Sequence, residues 1–545
     1  MKSHALICLL VCLNISLFAQ VPAHRYRKGI SYPAVQREVV DILFKPGSFN
    51  TGNPFDLHFG AVIAGPGNRT MHVPGFYQGD GEWIVRFSPP EPGSWTFRTY
   101  SEAAALSGHA GVIEAVPSQR KGGMRIDPEA PERFIYEDGS TCFALAYELD
   151  WLFALDYGNG AGIPRTRQII GDIAKNGFNQ VVMNVYAYDV NWYRDPVPAE
   201  YEFGKPSYSV YGGTNEAPDF STLNTALFRH LDRVIAHLDR LDITAHLMIY
   251  VWNKNVNWPD MYSVADNRYF DHVIARYQAF SNIVWDVSKE ALDYGRCDIP
   301  YINERIARIR RLDAYQRLVT VHDYEYCSRE PDRIDFISIQ SWRSHLYSLM
   351  LDAAALHRGK PVMNIEHGGY ESGPYRTFEG NYTDAGTCLI RNYLNAFAGV
   401  YPTYYWQNTA WNIVIYDALE EGKEFLAPRY DYYLHMAGFF SRYDFNKLYA
   451  VPQKITTNSK TGPDNLGTGG YALSNGSDLF LYLVPAENHQ INIVLPEPPG
   501  GTMQITWFNP LTGEYREGSS EKWSMWKSLR SPWAGAWSIA AVLLK

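Results

Sequence analysis

Cysteine is scarce in this chain of 545 residues: there are six, and Cys8 and Cys12 lie in the first apolar stretch. The other four, Cys142, Cys297, Cys327 and Cys388, are too widely spaced for a disulfide framework or a zinc pattern. Most read as buried small hydrophobes, with a single bridge left open. No run of Lys or Arg forms a stripe, and the net charge is -9, which argues against nucleic acid as a partner. No glycine-rich phosphate loop follows a strand-like run. No Gly-x-Ser-x-Gly elbow is present and no Cys has a matched His, which disfavours acyl transfer. Long low-complexity segments and internal repeats are also missing.

What is present is globular. Hydrophobic residues make up 46% and charged residues 20%, and the length calls for two to four domains. Aromatic residues reach 15%, with 39 Tyr and 15 Trp. Most of these rings suit the cores of β-sandwiches; a minority suit stacking on sugar faces. Lys2, the apolar stretch 5–18 and the small residue before Gln20 predict a signal peptide over 1–19. The stretch is too short for a comfortable membrane span, so an exported protein, periplasmic or released, is expected.

Three regions differ in pattern. Residues 25–120 carry short alternating runs such as Trp83-Ile84-Val85-Arg86-Phe87, broken by Gly, Pro and Asn, and predict a β-sandwich. Residues 132–435 alternate strands with helices, with strand candidates at 143–147, 179–185, 244–250, 283–287, 318–322, 336–340, 362–366 and 403–407. The clearest helix places Leu223, Leu227, Leu231, Val234, Ile235, Leu238 and Leu241 on one stripe, with Arg229, Asp232 and Arg233 outside. Eight such units predict an α/β protein built on a (β/α)8 TIM barrel, with a doubly wound sheet as the runner-up. Residues 449–545 return to alternation and predict a second, C-terminal β-sandwich.

Glu290 and Glu366 each stand just past or at the end of an apolar strand, on strands four and seven. A carboxylate there costs too much desolvation to serve packing. Barrel enzymes act at the C-terminal ends of their strands, so the two predict the paired acids of a glycosidase, one protonated and one ionised. A helix N-terminal acid or a surface salt bridge is the plainer reading of either Glu alone. This chemistry needs no cofactor. If Lys289 points at Glu290, its charge hinders the acid role.

The run Asn282-Ile283-Val284-Trp285-Asp286-Val287-Ser288-Lys289-Glu290 resembles the strand-four segment of clan A retaining glycoside hydrolases, and Pro361-Val362-Met363-Asn364-Ile365-Glu366 resembles their strand-seven segment. The resemblance implies Glu290 as acid/base, Glu366 as nucleophile and net retention. It further implies that Trp406 floors a subsite and that His322, Gln340 and Trp342 line the sugar site. Lys289 departs from the clan's Asn, and is expected to read an acidic or sulfated sugar. The N-terminal runs Asn53-Pro54-Phe55 and Pro74-Gly75-Phe76-Tyr77 resemble an uncharacterised sandwich that precedes such barrels in exported bacterial proteins. Trp507-Phe508-Asn509-Pro510 resembles the small C-terminal domain of apiosidase-like enzymes that carries a collagen-binding label.

Other candidates follow from position. Tyr147, Asn184, Tyr186 and Trp252 fall at the ends of strands one to three, where ligand contact competes with ring packing. Asp150 sits beside them. His246, His322 and His367 suit sugar hydrogen bonds or packing better than a metal. The connection from Tyr188 to Ser221, rich in aromatics, suits either a groove wall or a contact with a neighbouring domain. A carbohydrate is the expected partner; a barrel that binds sugar without cutting it is the rival reading, and metal-assisted hydrolysis a third. The oligomeric state is left open.

Overall fold

The computed structural model describes residues 21–47, 52–160, 162–189, 206–341, 343, 345–366, 385–405, 429–455, 470–487, 490–496 and 500–545. The N-terminal region forms two facing sheets. One runs in the order Ala23–Arg25, Val40–Phe44, Glu82–Phe87, Phe76–Gly79; the other runs Ser31–Val35, Ala110–Val116, Gly93–Ser101, Phe59–Ala64, Thr70–Pro74. Alternation along Gly93–Ser101 explains the packing: Trp95, Phe97 and Thr99 are buried, while Ser94, Thr96 and Arg98 face water. Trp95 and Phe97 close the core with Phe44, Phe59, Val85 and Phe87.

The central region has eight parallel strands: β1 (Ala146–Glu148), β2 (Gln180–Asn184), β3 (Thr244–Val251), β4 (Ile283–Lys289), β5 (Val319–His322), β6 (Ile337–Gln340), β7 (Val362–Glu366) and β8 (Tyr401–Tyr405). Each is followed by a helix: α1 (Pro164–Lys175), α2 (Thr225–Arg240), α3 (Val264–Tyr277), α4 (Ile299–Leu312), α5 (Tyr324–Arg329), α6 (Leu346–Leu356), α7 (Ala385–Phe397) and α8 (Tyr430–Arg442). The ladder order is β5-β4-β3-β2-β1-β8-β7-β6, a nearly closed barrel. Strands buried on both faces read as unbroken apolar runs, as in β3, where every residue is buried. Polar caps start the helices that follow. The Asn224 side chain accepts from the Leu227 amide, Ser263 from Asp266, Asp298 from Tyr301 and Asp323 from Tyr326.

The ladder is interrupted between β5 and β6, where side chains complete the closure. The Asp335 amide donates to Val319 O at 2.9 Å, and the Asp335 carboxylate accepts from the Val319 amide at 2.7 Å. Thr320 Oγ1 donates to Phe336 O at 3.0 Å and lies 2.9 Å from Ser338 Oγ.

The polar face of α2 does not meet solvent as its sequence pattern predicts. Arg229 donates to Gln78 O and Asp80, on the N-terminal sandwich. Asp232 sits between two buried guanidiniums: Arg86 reaches it at 3.0 Å and Arg276 at 2.6 Å, while Arg86 also binds Asp41 at 2.8 and 2.9 Å. Sequence periodicity marks the face as polar, and a polar face can equally cover a charged partner. The described part of the aromatic connection after β2 also packs on that sandwich, through Asn53 Nδ2 to Ser221 O at 2.6 Å; its residues 190–205 lie outside the described ones.

At the other end, a six-stranded sheet contains Leu479–Val484, Ser538–Leu544, Thr502–Phe508 and Tyr515–Lys522 as neighbours, with the pair Gln490–Val494 and Trp526–Arg530 alongside. Tyr482, Ile491, Ile493, Ile505, Leu529 and Val542 form its core. Cys142, Cys297, Cys327 and Cys388 are all free thiols, so the open question of a bridge is answered. Among the described residues no helix is long and apolar enough to cross a membrane.

Arg86→Met should lower stability by about 3–5 kcal/mol in chemical denaturation, because Asp41 and Asp232 lose a cation they cannot replace with water. The Asp232 carboxyl is held far below the usual carboxylate range: burial works against ionisation, but Arg276 and Arg86 outweigh it. Its contribution is therefore complete above about pH 4 and lost as pH falls below that toward the folded value.

Candidate active site

Two β-bulges build the site. Along β4, Asp286 pairs with Thr320 but Lys289 pairs with His322, so three residues of β4 advance against two of β5. Simple alternation would send Asp286 and Lys289 to opposite faces; the extra residue turns both inward. Asp286 staples the bulge. Its Oδ1 accepts from the Ser288 amide at 3.1 Å and the His322 amide at 2.9 Å, and its Oδ2 meets His246 Nε2 at 2.9 Å. Gln180 Nε2 lies 3.0 Å from His246 Nδ1 and 3.6 Å from Met363 Sδ, so these residues form one interior layer. The second bulge is on β7: Ile339 pairs with Asn364, but Gln340 pairs with Glu366. Met363 and Glu366, three residues apart, both reach the interior as a result.

Glu290 follows directly after the β4 bulge with φ of 53°, in the left-handed region. That backbone costs of order 1 kcal/mol for a residue with a Cβ, and such outliers gather at functional sites. The Glu290 amide is tied to His322 O at 2.9 Å. Its carboxylate accepts from Gln340 Nε2 at 2.9 Å, and the same nitrogen donates to Glu366 Oε1 at 3.1 Å. The two oxygens held by that one nitrogen, at 2.9 and 3.1 Å from it, are therefore no more than about 6 Å apart.

Lys289 crosses the interior. Its Nζ donates to Glu148 Oε1 at 2.5 Å, lies 3.4 and 3.3 Å from the two oxygens of Asp150, and contacts Glu366 Oε2 at 3.0 Å. Lys254 Nζ stands 3.5 Å from Asp150, and His322 Nε2 is 3.6 Å from Glu366 Oε2. Four carboxyl groups thus face two ammonium groups in a buried space. Burial disfavours ionising all four, and the effect falls on Glu290 and Glu148. Burial raises the Glu290 carboxyl, with the Glu366 charge adding to the rise against the pull of Lys289 and Gln340. Glu148 is pushed up further, by burial and then by Glu366. Burial pulls the Lys289 ammonium down, but Asp150, Glu148, Glu366 and Glu290 together hold it well above the ordinary lysine value. Lys254, desolvated and beside Lys289, is lowered, and burial takes His322 well below its usual range.

The expected site residues divide. Glu290, Glu366, His322 and Gln340 meet as anticipated. Asn184, fully buried at the end of β2 on the same face as Gln180, offers an amide with no hydrogen-bond partner among the described residues. Four assignments need correction. Lys289 is spent on the protein's own carboxylates, with its side chain 2% exposed, so it is not a reader of anionic sugars. Tyr147 projects outward from β1 into Phe178, Tyr404 and Tyr430, because its neighbour Glu148 takes the inward face. Tyr186 is buried on Phe153 and donates to Tyr208 O at 2.7 Å. Trp252 stacks on Tyr250 and carries Arg296 5.3 Å from its centre, leaving little ring face for a ligand. Trp342, His367 and Trp406 lie outside the described residues. Glu148 carries no assignment from the sequence, although Tyr147-Glu148-Leu149-Asp150 ends an apolar run as Glu290 does.

A barrel with paired acids on β4 and β7 is the architecture of a glycoside hydrolase. The family model described as "Apiosidase-like, catalytic domain" matches residues 131–431, more than half of the chain, and the chain belongs to that family. A domain of unknown function matches residues 36–102. The fold is similar to a crystal structure titled a putative glycoside hydrolase from Bacteroides vulgatus ATCC 8482, with a TM-score of 0.73 at 17% identity, over 94% of this chain and 100% of the other. It is similar also to a glycoside hydrolase family 5 structure from the same organism, with a TM-score of 0.58 at 14% identity, over 78% of this chain and 94% of that one. Comparison with curated protein sequences finds no match.

Asp286→Ala leaves the His246 ring and two amides without an acceptor. It should cost about 3 kcal/mol or more in urea unfolding, and a loss under about 1 kcal/mol would contradict the stapling role.

Proposed function

We propose that this protein is an exported glycoside hydrolase that cleaves O-glycosidic bonds of an oligosaccharide or polysaccharide with retention of configuration. The observation that carries this is the Gln340 amide bonded at once to Glu290 and Glu366. The close spacing supports direct attack, since a retaining pair stands roughly 5–5.5 Å apart. In the first step the Glu366 carboxylate attacks the anomeric carbon while the bond to the leaving oxygen breaks, and Glu290 gives that oxygen its proton. In the second, Glu290, now ionised, takes a proton from water. The water oxygen attacks the same carbon, and the ester to Glu366 breaks to restore the carboxylate. The raised Glu290 carboxyl suits the first task. Asn184 and His322 present polar atoms to a bound sugar. The family's name places apiosides first among glycosides to test. Export rests on the Lys2 and apolar start of the sequence.

A barrel that binds sugar without cutting it is the rival reading; it gains weight from Lys289, whose ion pairs with Glu148 and Glu366 support a part inside the site instead.

On a cleaved glycoside, Glu366→Ala should lower kcat/KM by about 10³-fold or more for every leaving group. Glu290→Ala should spare 2,4-dinitrophenyl glycosides, whose leaving group needs no proton, relative to alkyl glycosides. Proton NMR of the first-formed sugar should show the starting anomer. Because the acid must be protonated in the free enzyme, kcat/KM should fall as pH rises through the raised Glu290 value, and this limb should vanish in Glu290→Ala.

A further inference from the structure

Lys289 is a fully buried cation of the site, and packing does not explain it. A buried ammonium costs several kcal/mol unless its partners are well placed, and apolar side chains in place of the whole ion cluster would do as well for stability. The bulge in β4, held by three contacts to Asp286, delivers it to the interior. Its partners are asymmetric. Glu148 and Asp150, both at the end of β1 and fully buried, take its hydrogen bonds. Glu366 Oε2, across the interior on β7, receives it at 3.0 Å as a charge contact outside the hydrogen-bond direction. Oε1 of the same carboxylate is held by Gln340. Each oxygen of Glu366 therefore has its own constraint, from β6 on one side and from β4 on the other.

We propose that Lys289 is the positioning residue of the nucleophile, a fixed internal cation that orients and neutralises Glu366 while Glu148 and Asp150 anchor it from β1. The proposal rests on Glu366 acting as nucleophile. It accounts for the β1 acids, which have no part in either chemical step. When Glu366 becomes an uncharged ester, Glu148 and Asp150 still match the ammonium, so the intermediate leaves no bare charge in the interior. Among the described residues, the other groups that act electrically on Glu366 are Glu290 and Tyr294 on the β4 loop, Glu148 on β1, Lys254 past β3, His322 on β5 and Tyr405 on β8.

The test is the pH dependence of kcat/KM for a 2,4-dinitrophenyl glycoside that the wild type cleaves, in Lys289→Met and Lys289→Arg. Lys289→Met should lose about 10²-fold or more in rate for aryl and alkyl glycosides alike. Its acid limb should move up by about one pH unit or more, since the carboxylate loses its nearest cation. Lys289→Arg should return the limb toward the wild-type position. If Lys289→Met does not fold, Lys289→Met with Glu148→Gln removes one charge of each sign and should shift the limb in the same direction by less, because Glu148 repels the Glu366 charge. Titration of δ-13C-labelled glutamate by NMR, with the Glu366 signal assigned by Glu366→Gln, reads the effect without turnover. An unmoved acid limb or an unmoved Glu366 titration in the Met variant overturns the proposal. A wild type that cleaves no glycoside overturns the proposed function instead, and the titration then decides on Lys289 alone.

Discussion

The balance of charge at the C-terminal end of the barrel governs the rest of the site. Glu148, Asp150, Glu290 and Glu366 share a buried interior with Lys289 and Lys254. Like charges at this depth repel strongly, so the groups cannot all ionise, and their protonation states are forced apart. The burden falls on Glu290 and Glu148, whose carboxyls are raised. The bulges in β4 and β7 are the mechanical side of the same arrangement, because they put a second interior residue on strands whose alternation provides only every other one. Asp286 and His246, one layer down, are the floor on which that geometry stands.

Much of this was legible in the chain. All eight strands fall within a few residues of the apolar runs that predict them, because a strand buried on both faces has little freedom in composition. Glu290 and Glu366 could be found for the opposite reason: a carboxylate closing such a run contradicts its surroundings. Lys289 reaches the interior as a sugar contact would, but its partners Glu148 and Asp150 come from the end of β1, which the residues around Lys289 do not reveal. Tyr147 shows the limit of position alone. Its place at a strand end is right, yet the alternation that brings Glu148 inside sends the ring out. Glu148 was available to the same reasoning that found Glu290, since it too ends an apolar run.

Asp232 gives a related lesson at the scale of domains. On α2 it belongs to the polar side of an amphipathic pattern, which sequence alone assigns to water. Instead Arg86 of the sandwich and Arg276 of α3 enclose it, with Asp41 completing the set. A buried set of ions of this kind favours one orientation over others more than it favours folding as such. It fixes the sandwich against the helices behind β2 and β3, the strands that supply Asn184 and, one loop later, Lys254.

The ladder is interrupted between β5 and β6, and the two acids stand on either side of that opening: Glu290 past β4, Glu366 on β7. Any change at that joint widens or narrows the space between the two carboxylates. Gln340, at the tip of β6, spans the space with a single nitrogen and acts as a calliper. The separation of these two carboxylate oxygens is therefore limited by the reach of one amide.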